Sequence, residues 1–242
     1  MKVVISQSMY FPWVGLLEQI KLADTFVHYD DVQHTRGFYN RVQVKTEHGI
    51  RWITIPLRDR HQGQRIDEVR IDDRADWRRQ HHDILQQAYS KTPFCKEMLA
   101  LVDSVFMKKF EILADVSRAS MMALSDYFGL TEATRFVSSL NFKSETRGSH
   151  RIHDICVALE AKTYITGHGA RNYLDHDLFE RSAIRVEYMN YRKVPYAQMY
   201  GEFTPYVTAL DLVANCGREG AKVICSDAVY WKDFLNEPDS TV

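Results

Sequence analysis

Apolar and polar positions recur with two different periods along the 242-residue chain, and the changes of period divide it. Val3-Val4-Ile5 is a short β-rich run. Leu16, Leu17, Ile20, Leu22 and Ala23 then recur at helical spacing, and TFVHYDD (25–31) returns to a strand pattern that ends on two carboxylates. A strand over 3–6, a helix over 15–23 and a strand over 25–31 make a βαβ unit, so the two strands are expected as parallel neighbours. RVQVKTEHGIRWITIPL alternates on both sides of Glu47-His48-Gly49, which predicts a hairpin with Gly in its turn. Asp67 to Ile71 adds one further short strand.

From Asp76 the period becomes helical. Trp77, Ile84, Leu85, Ala88 and Tyr89 mark one helix, and after Pro93 a longer one runs through Leu99, Val102, Val105, Phe106, Phe110, Leu113 and Val116. SDYFGLTEA closes a helix at Gly129. The β/α alternation resumes with strands over 134–139, 163–167 and 184–191, helices over 151–161 and around LFERSA, and a last helix from Tyr206 to Asn215 capped by Gly217. Short strands alternating with helices predict an α/β fold. Its core is a Rossmann-like, largely parallel sheet covered on both faces, with a β-hairpin and an inserted mainly helical subdomain. Residues 1–73 and 130–242 form that core, and 74–129 the insertion.

Hydrophobic residues make up 45% and charged residues 26%, the balance of a globular protein with a core of its own. A net charge of -1 gives no general attraction for nucleic acid or anionic membrane, so neither is expected as a partner. Cys95, Cys156, Cys216 and Cys225 form no CxxC, and Cys156 sits in an apolar helical pattern as a small buried hydrophobe. No signal-peptide core and no run of roughly 18 apolar residues occurs, so a reduced, cytoplasmic protein without membrane insertion is expected. The ten histidines show no metal-ligand spacing, and no metal site is expected. P-loop, nucleophile-elbow and regular dinucleotide signatures are missing, which disfavours ordinary NTPases, serine hydrolases and NAD enzymes. Oligomeric state has no signature in the sequence.

In an open parallel sheet, ligands bind at the carboxyl ends of the strands. That rule gathers Gln7, Ser8, Tyr10 and Trp13 after the first strand, and Asp30, Asp31 and Gln33 after the second. Ser138 and Ser139 join them from a later strand, and GHGARNYLD (167–175) from another. Large aromatics in a turn need something to pack on, and one reading makes them the wall of a ligand pocket. The adjacent carboxylates suit a general base, an amine or hydroxyl anchor, or Mg²⁺; the plainer reading is a turn that bonds its own backbone. Gly167 and Gly169 with Arg171 suit a phosphate, or simply a tight turn with Asp175 capping the next helix. His81 follows Trp77 by four residues on the same helical face, placed either as an acid–base relay or as a half-buried structural histidine. The basic run Arg58, Arg60, Arg65, Arg70, Arg74, Arg78, Arg79 reads first as a solvated face and second as a sugar-nucleotide or phosphopantetheine contact.

QSMYFPWVGLLEQI, DTFVHYDDVQ, NRVQVKTEHGIRWITIPL, YITGHGARNYLD and YGEFTPYVTALDLVANCG, in this order and over nearly the whole chain, resemble the WbqC-like family of bacterial proteins. The family pattern falls on Gln7, Tyr10, Pro12, Trp13 and Gly15, then on Asp30, Asp31 and Gln33. It continues on Arg41 and Trp52 in the hairpin and on Gly167, Tyr173, Leu174 and Asp175. Members often accompany genes for surface polysaccharide and nucleotide-sugar biosynthesis. The resemblance therefore implies a cytoplasmic transferase that moves an acyl or aminoacyl group onto a nucleotide-linked amino sugar. Tyr10 and Trp13 would stack on the substrate, Asp31 would take the amine proton with His81 as relay, and the Gly167 turn would receive diphosphate. No resident cofactor is implied beyond a nucleotide or an acyl or aminoacyl donor. Two alternatives stay open. One is an ATP-dependent nucleotidyltransferase or ligase, whose H-x-G-H signature is here PWVGL, with Gly15 in place and both histidines missing. The other is a non-catalytic protein that binds a glycan precursor.

Overall fold

A computed structural model describes residues 1–35 and 37–236; the last six residues assigned to the core, 237–242, lie outside the described residues. In chain order, β1 (Lys2–Ser6), α1 (Val14–Leu22) and β2 (Thr25–His28) are followed by the hairpin β3 (Arg41–Thr46) and β4 (Gly49–Thr54). Two short strands come next, β5 (Leu57–Arg58) and β6 (Arg70–Ile71), then α2 (Trp77–Tyr89), α3 (Cys95–Phe106) and α4 (Leu113–Tyr127). The chain continues through β7 (Arg135–Ser138), α5 (Gly148–Ala158), β8 (Thr163–Thr166), α6 (His176–Arg181) and β9 (Arg185–Asn190). It closes with α7 (Ala209–Cys216), β10 (Asp227–Tyr230) and α8 (Trp231–Asn236).

Six strands form one sheet in the order β10-β9-β8-β1-β2-β7. β1 and β2 are parallel neighbours with Val3 opposite Thr25, as the βαβ pattern requires, and β7, β8 and β9 run the same way. β10 is antiparallel to β9. Because side chains alternate along a strand, each central strand feeds two cores. Val4, Phe26 and Ile165 point to a face covered by α1, α2, α3, α4, α7 and the hairpin. Val3, Ile5, Val27, Tyr164 and Val186 point to the other, covered by α5, α6 and the rings of α8. The helices between Trp77 and Tyr127 thus share one apolar core with the sheet.

The long helix expected after Pro93 is two helices. Around Lys108-Lys109 the chain leaves the helical path and runs extended, so that Glu111 accepts from the Ile71 amide at 2.8 Å and Leu113 donates to the Val69 carbonyl at 2.8 Å. Pairing with β6 satisfies backbone groups that a continuous helix would have bonded internally. The last long helix starts at Ala209 rather than Tyr206, because Thr208 caps it with its hydroxyl. β10 and α8 carry no period strong enough to be read from sequence and are additions. Cys156 is fully buried, and burial pushes its thiol pKa up.

Candidate functional site

The first turn is built inward. Phe11 adopts a left-handed backbone (φ 37°), uncommon for a bulky residue, and its strain is offset by two clamps. Its amide donates to Ser120 Oγ at 2.9 Å, and its carbonyl accepts from Thr208 Oγ1 at 2.7 Å. Tyr10 and Phe11 have no exposed surface, and Tyr10 packs edge-on against Trp77. Tyr10 therefore stacks on the core and not on a ligand. The Tyr10 hydroxyl meets His81 Nδ1 at 2.9 Å, and His81 Nε2 lies 3.2 Å from the Thr54 carbonyl. A carbonyl only accepts, so Nε2 carries the proton and Nδ1 accepts from the phenol. Burial pushes the His81 pKa down to about 4. With both nitrogens engaged and 4% of its surface exposed, His81 is placed as a structural histidine.

Trp13 caps the entrance of α1, with Tyr191 from the end of β9 at 5.0 Å and Tyr206 at 5.8 Å between ring centroids. A Cβ on Gly15 would lie 2.3 Å from the indole, so the absent side chain is what lets the ring fold over the first turn of the helix. Gln7 is half-buried just past β1. The indole occupies the helix entrance where a doubly wound sheet commonly admits phosphate.

Asp30 and Asp31 separate completely. Successive residues of an extended chain point to opposite faces. Asp30 turns toward α4 and has no exposed surface. It accepts from the Ser8 amide and Ser8 Oγ, each at 2.8 Å, and from Arg118 Nε at 2.5 Å. His28 Nδ1 lies 2.9 Å from the same Ser8 oxygen. This gathers Ser, His and Asp, but the hydroxyl stands between the other two and is sealed at 0% exposure, so the order and access of a nucleophilic triad are both missing. The structure gives Asp30 and Ser8 an anchoring role.

Asp31 turns toward α5. Ser139 Oγ donates to its Oδ1 at 2.5 Å and Arg151 Nη2 to its Oδ2 at 3.1 Å. Arg151 also donates to the carbonyls of Phe142 and Ser139, which fixes the guanidinium. Asp31 and Gln33, with Tyr29, Arg65, Arg147 and Arg151, line a cavity of about 690 Å³ at the carboxyl ends of β2 and β7. Each carboxylate oxygen keeps a lone pair beyond the bonds it makes, so Asp31 retains acceptor capacity toward this space. Burial and the nearby carboxylate push the Tyr29 phenol up to about 12, leaving it a hydroxyl donor near neutral pH. Gln33 also lines a second chamber of about 660 Å³, with His34, Arg41, Arg60, His61 and Gln64. Between the chambers, Gln33 bridges Arg65 and the His34 amide donates to the Gln64 carbonyl at 2.8 Å. Both volumes fall in the range of small-molecule sites.

The remaining expected residues lie elsewhere. Trp52 is 37% exposed beneath the Arg41 guanidinium, 4.2 Å from its ring centre. Ser138 caps a short turn through the Leu140 amide. In the GHGARNYLD turn the Ala170 and Arg171 amides are spent on turn hydrogen bonds, and Asp175 caps α6. A Cβ on Gly167 would meet Gln19 at 2.9 Å, while Gly169 has open space. His168 and Arg171 lie against Phe234 of α8, so that helix covers the turn. Tyr173 is 60% exposed. Trp13 and Asp31 share the carboxyl-end rim but sit toward its two ends, one beside β9 and the other beside β7. Sequence reasoning missed Arg118 and Arg151, which arrive from helices 88 and 120 residues away in sequence. Arg60 and Arg65, read first as a solvated face and second as a sugar-nucleotide or phosphopantetheine contact, are exposed, Arg65 pairs with Asp67 at 2.9 Å, and each also borders one of the chambers. Their neighbours Arg74 and Arg78 do pair there with Asp72 and Asp73.

A family model for the WbqC-like protein family matches residues 7–223. The chain belongs to the WbqC-like protein family. The match covers every element from α1 to α7, including both chambers and the buried first turn. This WbqC-like chain is also 33% identical over 222 residues to "Uncharacterized protein Rv1507c" of Mycobacterium tuberculosis (strain ATCC 25618 / H37Rv), which spans 90% of this chain and 95% of that protein. No solved structure matches it.

Proposed function

We propose that this WbqC-like protein is a cytoplasmic transferase of surface-polysaccharide assembly, which moves an acyl or aminoacyl group onto the amine of a nucleotide-linked sugar. The observation that carries the reading is Asp31. Its carboxylate is oriented by Ser139 and Arg151 and opens on a cavity of about 690 Å³ at the carboxyl end of a parallel strand. Counted among themselves, the five parallel strands run 3-2-1-4-5, which supports a Rossmann-like reading of the sheet and a ligand site along this edge. Among the described residues, no helix is long and apolar enough to cross a membrane.

In the reaction, the sugar nitrogen attacks the donor's carbonyl carbon. The new C–N bond forms as the donor's bond to its leaving group breaks, and that group departs with the electron pair. Asp31 accepts the proton lost by the amine, and the Tyr29 hydroxyl and Gln33 amide are placed to hydrogen-bond the sugar. His81 takes no part, because both ring nitrogens are bound within the fold.

The test is a panel of nucleotide amino sugars and acyl or aminoacyl donors, with product followed by mass spectrometry and binding by thermal shift. Turnover with at least one pair, falling about 100-fold or more in Asp31→Asn, is expected. A thermal shift without turnover would instead indicate a binding protein. Neither turnover nor a shift with any nucleotide sugar removes the proposal.

A further inference from the structure

The chamber beside the Asp31 cavity has a different chemistry. Among the described residues, eight buried side-chain polar atoms have no hydrogen-bond partner in the protein. Three of them, His34 Nε2, Arg41 Nε and Gln64 Oε1, belong to residues lining this one chamber. Leaving a buried polar group unmet costs about 1–3 kcal/mol each, so the residues of this lining carry polar capacity that the fold itself leaves unused.

Each of the three is held in place. The Arg41 guanidinium lies over Trp52, 4.2 Å from the ring centre. Gln64 Nε2 donates to the Glu68 carbonyl at 3.1 Å, which fixes the amide so that Oε1 is the atom left over. The His34 ring packs against Tyr39, with centroids 5.8 Å apart. Arg60 brings a second guanidinium to the lining, and among the described residues no carboxylate lines the chamber. Two guanidinium groups without a compensating acid favour an anion, and a planar Arg fork matches phosphate geometry.

We infer that the chamber lined by His34, Arg41, Arg60 and Gln64 is a binding site for a phosphate or diphosphate group. For the anion, the inference stands on this chamber alone; for the rest of the ligand, it rests on the transferase reading above. The shared wall at Gln33 and Arg65 then lets one molecule place its phosphates here and its amino sugar beside Asp31. The phosphate site moves accordingly from the Gly167 turn, which α8 covers, to the loops around the hairpin.

Inorganic pyrophosphate is the probe, because it is too small to need the Asp31 cavity. It is titrated into the full chain by calorimetry, with tryptophan emission reporting the Arg41–Trp52 stack. The expected result is saturable binding that weakens with salt. Arg41→Gln and Arg60→Gln each lower affinity by about tenfold or more, the scale of one lost hydrogen bond to a charged group. Arg147→Gln, in the neighbouring cavity, leaves it unchanged. Arg60 is exposed, so its variant decides the matter if Arg41→Gln fails to fold. No saturation by about 10 mM overturns the inference. Wild-type affinity in both chamber variants, or loss confined to Arg147→Gln, overturns it as well. Pyrophosphate binding with no turnover in the sugar panel leaves this site standing and removes only the transferase reading. Turnover without pyrophosphate binding does the reverse.

Discussion

Arg118 Nε donates to Asp30 Oδ2 at 2.5 Å, and this ion pair ties α4 to the end of β2 with the carboxylate fully buried. Asp31, the next residue, makes its own pair with Arg151 but faces a cavity. The two adjacent carboxylates thus differ in placement, one sealed in the core and the other beside a cavity.

Asp30→Asn is expected to cost about 3 kcal/mol of stability, because in either orientation the new amide hydrogens face donors, the Ser8 amide at the Oδ1 position or Ser8 Oγ–H and Arg118 Nε–H at the Oδ2 position, and the guanidinium loses its counter-charge. Asp31→Asn leaves Arg151 bonded to two carbonyls and should cost about 1 kcal/mol. Urea unfolding of both variants compares them directly. Equal losses would erase the distinction. A double variant Asp30→Asn/Arg118→Gln should be less damaged than the sum of its singles.

The buried imidazole of His81 makes stability depend on pH with a definite sign. Its folded pKa is about 4, against about 6.5 in an unfolded chain. Between those values the unfolded chain takes up a proton that the fold refuses, so its contribution is present above pH 6.5 and is lost as pH falls toward 4. The full effect is about 3 kcal/mol. Asp211 acts oppositely: burial raises its carboxyl to about 6, so its contribution is present below about pH 4 and is lost as pH rises through 6. In urea unfolding at half-unit steps from about pH 4 to pH 8, the advantage of wild type over His81→Gln should grow with pH. Measured against Asp211→Asn it should shrink. Parallel curves for either variant would show that the group titrates normally in the fold.

Gly15 and Trp13 form a matched pair. Gly15→Ala puts a methyl carbon within 2.3 Å of the indole and forces the ring off the helix entrance, an overpacking loss of about 1–3 kcal/mol. Removing the ring first should abolish most of that penalty, so Gly15→Ala in a Trp13→Ala background becomes nearly neutral. Thermal unfolding of the four proteins completes the cycle. Additive losses would mean that the ring is not what excludes the side chain.

Period and turn chemistry alone determined the parallel βαβ opening, the hairpin around Gly49 and the helical character of Trp77 to Tyr127, because each depends on neighbours only a few residues apart. Chain direction alone placed Asp31, Gln33 and Ser139 at one end of the sheet. The face each side chain takes was decided by tertiary structure. Asp30 and Asp31 are indistinguishable in sequence, yet α4 covers one and α5 leaves the other beside a cavity. Tyr10 and Trp13 carry similar rings in the same turn. One is drawn into the core by the left-handed step at Phe11, and the other remains at the rim. The arginine partners Arg118 and Arg151 and the chamber lined by His34, Arg41, Arg60 and Gln64 depend on packing between separate segments. No local pattern encodes packing of that kind, because the energy of a buried polar atom is set by what the rest of the chain brings to it.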